Sequence, residues 1–406
     1  MNERLTSNKL FYYICLIGFF GIFSTTISKN PVLPLFVRQG LGGSEVALGL
    51  IAFFSPFAGM AFSFPIGILA EKWGFKRMLT LSALVFVAAP LSYLVVTNPH
   101  WLIPIRFFHG LATAILGPVA AAMIFNTYSA QKGEKFGTYS SVTLIGRTLA
   151  PLLGGFVLTY FAYLHNLWTY RLVYVLAFLL ALPILVLVLM IEGNSSPDRL
   201  IKKFTFYDFI HALKIFITNS RLSSTALVEM ASYFSFGVLE TFLPDYLKNL
   251  NYTAGQIGLI FSLQILAIAL SKPLFGKLAD RIDKRIQILF GILITGLAIA
   301  AVPFTVSYSA IVGLSLSFGL GMSFSTVATS SYVAEVTAKK DLSASLGALS
   351  SIMDIGQSVG PLLTGILIAS FSYVLGFGLS FVLCLGVAGI FYLGNFNQIK
   401  VIQPTS

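Results

Sequence analysis

The chain has 406 residues, 56% hydrophobic and 10% charged, with a formal net charge of +11. Soluble proteins carry about 25% charged residues, so this chain lacks the polar surface to fold in water, and a bilayer must be its main solvent. The positive charge points to membrane orientation rather than nucleic-acid binding, because it sits in short loops between apolar runs.

The first apolar run, 10–27, is too long for a signal-peptide core, and no small-residue cleavage site closes it, so an uncleaved first span is expected. A helix needs about 20 apolar residues to cross the hydrocarbon core. On that basis spans are predicted at 10–37, 46–70, 78–97, 101–127, 137–163 and 170–191. After a break come 222–247, 255–279, 286–306, 309–334, 343–370 and 373–394. No strand or barrel patterning occurs, so the expected class is an all-α membrane protein of about twelve transmembrane helices. Cys15 and Cys384 fall inside spans and read as packing residues; two such cysteines make no disulfide framework or metal cluster.

The break opens with Gly-Asn-Ser-Ser-Pro-Asp at 193–198. Phe209, Ile210, Leu213, Phe216 and Ile217 then recur at helical spacing beside Asp208, His211 and Lys214. That pattern suits a helix lying on the cytoplasmic leaflet; a partner-binding helix follows from the same amphipathic logic. The expected domains are an N-terminal six-helix bundle (1–191), a cytoplasmic linker with an interfacial helix (192–220) and a C-terminal six-helix bundle (221–406). A cytoplasmic N-terminus places every Lys and Arg on the inside except Lys29, Arg38, Arg106, Arg147, Arg171, Lys248 and Lys272. The bias predicts both termini in the cytoplasm and a multi-pass protein of the cytoplasmic (inner) membrane.

The halves repeat at an offset of about 210 residues. Gly49-Leu50-Ile51 recurs as Gly258-Leu259-Ile260, and Leu33-Pro34 as Leu243-Pro244. Gly67-Ile-Leu-Ala-Glu71-Lys72 recurs as Gly276-Lys-Leu-Ala-Asp280-Arg281, Gly110-Leu111 as Gly319-Leu320, and Gly146 with Pro151 as Gly356 with Pro361. Six spans followed by six give two pseudo-symmetric bundles of like orientation, as in carriers whose substrate site lies between rocking halves.

These residues resemble the major facilitator superfamily over essentially the whole chain. Gly67-x-Leu-Ala-Glu71-Lys72-x-Gly74-x-Lys76-Arg77 resembles the family's first loop motif, and Gly276, Asp280 and Arg281 its copy. The resemblance implies a conformational latch of acid and base between bundles; Glu71 stands where the family favours Asp. Arg106, followed by His109-Gly110, resembles the span-4 arginine motif, which implies proton coupling. His109 stands where glutamine is usual and is either a titrating group or a hydrogen-bonding substitute. Gly146-x-x-x-Ala150-Pro151-x-x-Gly154-Gly155 resembles the span-5 motif of proton-coupled exporters, with Ala150 for a glycine; read structurally it is a kinked packing face. The subclass most resembled is the twelve-span drug–proton antiporters, and the resemblance implies a functional monomer.

Ionisable groups inside spans are costly and mark function or pairing. They are Lys29, Arg106, Arg147, Glu229, Glu240, Lys272 and Asp354. Lys29-Asn30 and Glu240 hold nearly equivalent repeat positions, which predicts an ion pair, gating or static. Glu229 and Asp354 are candidate proton carriers, because a low-dielectric cavity favours the protonated acid; a structural pair of Asp354 with Arg147 is the alternative. Lys272 can snorkel. Candidates for substrate contact are Lys29, Asn30, His109, Phe234 and Glu240, with Phe54, Phe57 and Phe236 as further aromatic lining. The cations in the first half favour an anionic, zwitterionic or neutral amphipathic substrate. No P-loop, hydrolase elbow or zinc motif occurs, so neither an enzyme nor a cofactor is expected. Secondary active transport, as proton-coupled export by alternating access, is the expected function. A lipid or glycolipid flippase, a metabolite or sugar carrier, and a non-transporting receptor on the same fold are the alternatives.

Overall fold

The computed structural model describes residues 2–128, 131–191, 210, 214, 216–338 and 341–396. Among these residues the structure is helical, with no strand. Twelve helices are long and apolar enough to cross a membrane, matching the predicted spans in number and order. α1 (Asn2–Ile27) continues through a short helix, Val32–Leu35, and a π turn, Phe36–Gly40, to complete the first crossing. Then follow α2 (Glu45–Trp73), α3 (Phe75–Tyr93), α4 (Leu102–Thr127), α5 (Lys132–Tyr160) and α6 (Trp168–Met190). The second set is α7 (Ser220–Asn249), α8 (Ala254–Ala279), α9 (Lys284–Ala301), α10 (Tyr308–Val336), α11 (Leu342–Ser370) and α12 (Tyr373–Phe396). The interfacial helix expected within 192–220 lies outside the described residues, apart from 210, 214 and 216–220.

Local chemistry sets several boundaries. Ser44 caps α2 by accepting a hydrogen bond from the Ala47 amide at 3.2 Å, and Asp283 caps α9 by accepting from the Arg285 amide at 2.9 Å. Gly74 joins α2 to α3 with φ of 92°, a conformation open to glycine at little cost. The latch motif therefore carries its glycine at a sharp helix junction.

Packing divides the chain into two compact units. One is Met1–Lys203 with Glu240–Ser262; the other is Phe204–Leu239 with Leu263–Ser406. Each unit has the same internal crossings, built on repeat-related residues. In the first, a Cβ on Gly146 of α5 meets the Phe19 carbonyl of α1 at 2.9 Å; in the second, one on Gly356 of α11 meets the Met230 carbonyl of α7 at 2.2 Å. Likewise Gly110 of α4 lies against Ser55 of α2, and Gly319 of α10 against Gln264 of α8. Lipid offers no hydrophobic drive for helices to associate, so small residues that admit backbone-to-backbone approach set which helices pack. The repeat read in the sequence is thus a repeat of contacts.

Apolar cores fill both units. Ile14, Phe86, Leu116, Val119 and Ile184 lie in a buried cluster of the first. Val228, Ile292, Ala328 and Phe391 lie in one of the second.

Candidate functional site

The first unit brings together the residues of the expected ion pair. α1 stops at Ile27, and the turn that follows aims Lys29 and Asn30 at α7. Lys29 Nζ lies 2.5 Å from Glu240 Oε2, and Asn30 Nδ2 donates to Glu240 Oε1 at 3.0 Å. Both carboxylate oxygens are therefore engaged. The Lys29 and Glu240 side chains are 24% and 10% exposed, so neither is fully enclosed by protein.

A second charged knot lies nearby in sequence. Arg38, in the π turn, donates from Nε to Asp245 Oδ2 at 2.8 Å and from Nη1 to the Gly43 carbonyl at 2.6 Å, and it also pairs with Glu45 in the first turn of α2. Asp245 is buried. The sequence set Arg38 only among the cations that do not fall on the inside, and Asp245 was passed over. The signal was an acid inside an apolar span, directly after the repeated Leu243-Pro244.

Small residues hold the start of α8 against α5. A Cβ on Gly155 of α5 meets the Ala254 carbonyl at 2.3 Å, and one on Gly258 of α8 meets the Pro151 carbonyl at 2.2 Å. Gly154 packs on Ile27 of α1, and Ala150 and Pro151 are buried. The amide of Leu152 donates to Ser262 Oγ at 3.0 Å, and the amide of Gly255 to Thr159 Oγ1 at 2.8 Å. The span-5 motif is a two-sided packing face: Gly146 and Gly154 meet α1, and Gly155 meets α8.

Behind the ion pair lies a buried polar cluster. Arg106 of α4 is 1% exposed and lies close enough to the Tyr93 hydroxyl of α3 to act on it electrostatically. Tyr93 stacks on Tyr174 of α6, with ring centroids 4.3 Å apart. His109 Nε2 lies 3.2 Å from Thr25 Oγ1 and its Nδ1 3.4 Å from the Tyr93 hydroxyl. A neutral imidazole offers one donor and one acceptor and satisfies both contacts. Among the described residues, Arg106 Nε and Nη1, Tyr174 Oη and Asn30 Oδ1 have no hydrogen-bond partner. Orphaned polar atoms on so buried a cation are rare and call for an explanation in function. Arg106 and Arg147 both lie close enough to act electrostatically on Lys29; Arg147 itself is exposed.

Other expected site residues lie elsewhere. In the second unit Glu229 is buried and accepts a hydrogen bond from Thr329 Oγ1 of α10 at 2.5 Å. Lys272 is close enough to act on Glu229 through space. Asp354 of α11 is half-buried, and its carbonyl accepts from Ser358 Oγ at 2.7 Å. Phe234 is buried, with Gly360 pressed on its backbone. Phe54 and Phe57 join Phe53 and Phe107 in a half-buried aromatic cluster of the first unit. In the loop motifs, Lys76 is half-buried, while Arg77, Asp280 and Arg281 are exposed and form no ion pair among the described residues. The surroundings of Gly67 and the Glu71 side chain lie outside the described structure. Gly276 has an open surrounding, with Val327 at 3.9 Å.

Twelve membrane-length helices in a duplicated array, with ionisable groups buried in their midst, define a polytopic membrane transporter. The sequence profile of the Major Facilitator Superfamily matches residues 14–223 and 225–398, and the chain belongs to that family. It is 26% identical to the multi-drug resistance efflux pump PmrA of Streptococcus pneumoniae, covering 95% of this chain and 97% of the pump. With the PmrA homolog of Lactococcus lactis the identity is 25%, over 92% of each chain. An uncharacterized MFS-type transporter of Methanocaldococcus jannaschii is 23% identical over 85% of this chain and 88% of its own. Among solved structures, the nucleoside transporter NupG superposes with a TM-score of 0.80 at 12% identity, covering 95% and 99% of the two chains. A bacterial homolog of the lysosomal transporter Spinster, inward-facing and unoccupied, gives 0.76 at 15% identity, covering 96% and 95%. At such identities these structures establish the fold alone.

Proposed function

We propose that this transporter exports a small amphipathic compound in exchange for protons, by alternating access. The observation that carries the reading is the Lys29–Glu240 pair, in which the first span of one repeat meets the first span of the other. The bundles 1–191 and 221–406 are the bodies that rock, joined by the 192–220 linker, with both termini in the cytoplasm. On the outer side, Lys29–Glu240 and Arg38–Asp245 are gate pairs: closed, they hold α7 to the first six helices; open, each charge gains water for the partner it loses. For the partly exposed Lys29–Glu240 pair, water gained on opening offsets part of the attraction lost.

Glu229 and Asp354 are the proposed proton carriers. Glu229 sits in a polar pocket with a Thr329 donor, and Lys272 acts on it through space. Arg106 and Arg147 set the potential around Lys29, so a change of charge in the cavity is transmitted to the gate. Arg106, with free donors, and Asn30, with a free carbonyl oxygen, offer contacts to a polar or anionic part of the substrate; His109 acts as the hydrogen-bonding link between them and α1. Resemblance to pumps named for multidrug efflux supports the direction and breadth of transport. The carrier works as a monomer in the cytoplasmic membrane.

The test is proton flux in liposomes with a pH-sensitive dye inside and a panel of amphipathic compounds added outside. A compound that drives proton movement in the native chain and fails to do so in Arg106→Ala supports the antiporter. Folded protein that moves no protons with any compound, yet flips fluorescent lipid, overturns it in favour of a flippase.

A further inference from the structure

The first unit contains a cavity of about 560 Å³ near the end that bears its gate pairs, a size within the usual range for small-molecule sites. Leu35, Leu158, Tyr170, Gln39, Lys248 and Ala254 contribute to its wall. The repeat explains its charge. With Leu33-Pro34 aligned on Leu243-Pro244, Lys248 is the counterpart of Arg38; with Gly49-Leu50-Ile51 aligned on Gly258-Leu259-Ile260, Ala254 is the counterpart of Glu45. In the first copy Arg38 pairs with Glu45 at the start of α2. In the second copy the cation remains and the carboxylate is absent. Among the described residues Lys248 forms no ion pair.

We propose that this cavity binds an anionic amphiphile, whose carboxylate or phosphate head takes beside Lys248 the place that Glu45 holds beside Arg38. The head lies at the first turn of α8, where the helix dipole favours negative charge, as Glu45 lies at the first turn of α2. Leu35, Leu158 and the Tyr170 ring receive the apolar body. The site is separate from Lys29 and Glu240, and its charge does not depend on the transport cycle proposed above; its shape and its facing outward rest on that reading, because its wall joins the first six helices to the 248–254 segment.

The experiment uses the full chain carrying Gln39→Cys, an exposed wall position, since the native Cys15 and Cys384 are buried. Labelling by a water-soluble maleimide is followed in lipid-free detergent with hexyl phosphate as the probe and hexanol as its uncharged control. Hexyl phosphate should slow labelling, and hexanol should not. Lys248→Gln should raise the half-protecting concentration about tenfold, the loss of one charge-assisted contact. Ala254→Glu, which restores the missing carboxylate, should do the same by occupying Lys248. The two substitutions act through different residues, so a folding failure in one leaves the other decisive. Equal protection by hexanol, or unchanged protection in either folded variant, overturns the site. Nanodiscs then separate the sources. Slow labelling in phosphatidylglycerol discs and fast labelling in phosphatidylcholine discs identify a lipid headgroup; equal labelling, with hexyl phosphate still protective, identifies a soluble anion.

Discussion

Lys29 and Glu240 are the residues on which most depends. Removing one member of a buried pair strands the other charge, a loss of about 3–5 kcal/mol when both are fully buried. With Lys29 at 24% exposure and Glu240 at 10%, Glu240→Gln should cost about 2 kcal/mol, less than the fully buried case. Lys29→Met combined with Glu240→Gln should recover most of that loss, because neither charge is then stranded. Thermal unfolding in detergent reads this directly, and equal melting of the single and double variants would refute the pairing. The pair was legible in the sequence because two costly charges stood at matching repeat positions. Arg38–Asp245 was not, since an arginine at a span edge looks like any loop charge until its partner is seen. The cluster around Arg106 was legible only in part. The arginine and His109 stood out, but Tyr93, Tyr174 and Thr25 are ordinary span residues whose approach depends on how α1, α3 and α6 pack.

At the scale of the element, α5 is the informative helix. Its small residues were read as a packing face, and the sequence could not say against what. Gly146 and Gly154 serve α1, whereas Gly155 meets the Ala254 carbonyl and Gly258 returns the approach to Pro151. Backbone atoms cannot move aside as a flexible side chain can. Gly155→Ala and Gly258→Ala should therefore each destabilise this crossing by about 1–3 kcal/mol, the usual cost of overpacking. Gly117→Ala in α4, where a new Cβ meets nothing within 4 Å, should be neutral or stabilise by up to about 1 kcal/mol through helix propensity. A melting series on the three variants checks the contrast; equal effects would mean that propensity rather than contact governs these positions. Helix number and order were legible because crossing a bilayer needs a long apolar run. The destination of each small-residue face was not, because packing partners are a tertiary property.

At the scale of the whole molecule, the repeat predicts a division at the 192–220 linker, whereas packing joins 240–262 to the first six helices. If transport requires this region to part, a covalent bond across it should stop turnover. A Cβ built on Gly255 lies 3.8 Å from the Thr159 Cβ, inside the range that a disulfide spans. Thr159→Cys with Gly255→Cys should therefore crosslink under mild oxidation and abolish transport, with recovery on reduction. Full transport by the crosslinked protein would show that the two segments stay together throughout the cycle. The same joining bears on biosynthesis. As the chain leaves the ribosome, Lys29 enters the membrane some two hundred residues before Glu240 exists to meet it. Arg38 at least has Glu45 close behind it. The N-terminal half is thus made with a cation whose carboxylate is still to come, and the Lys29–Glu240 contact forms only once the seventh span has arrived.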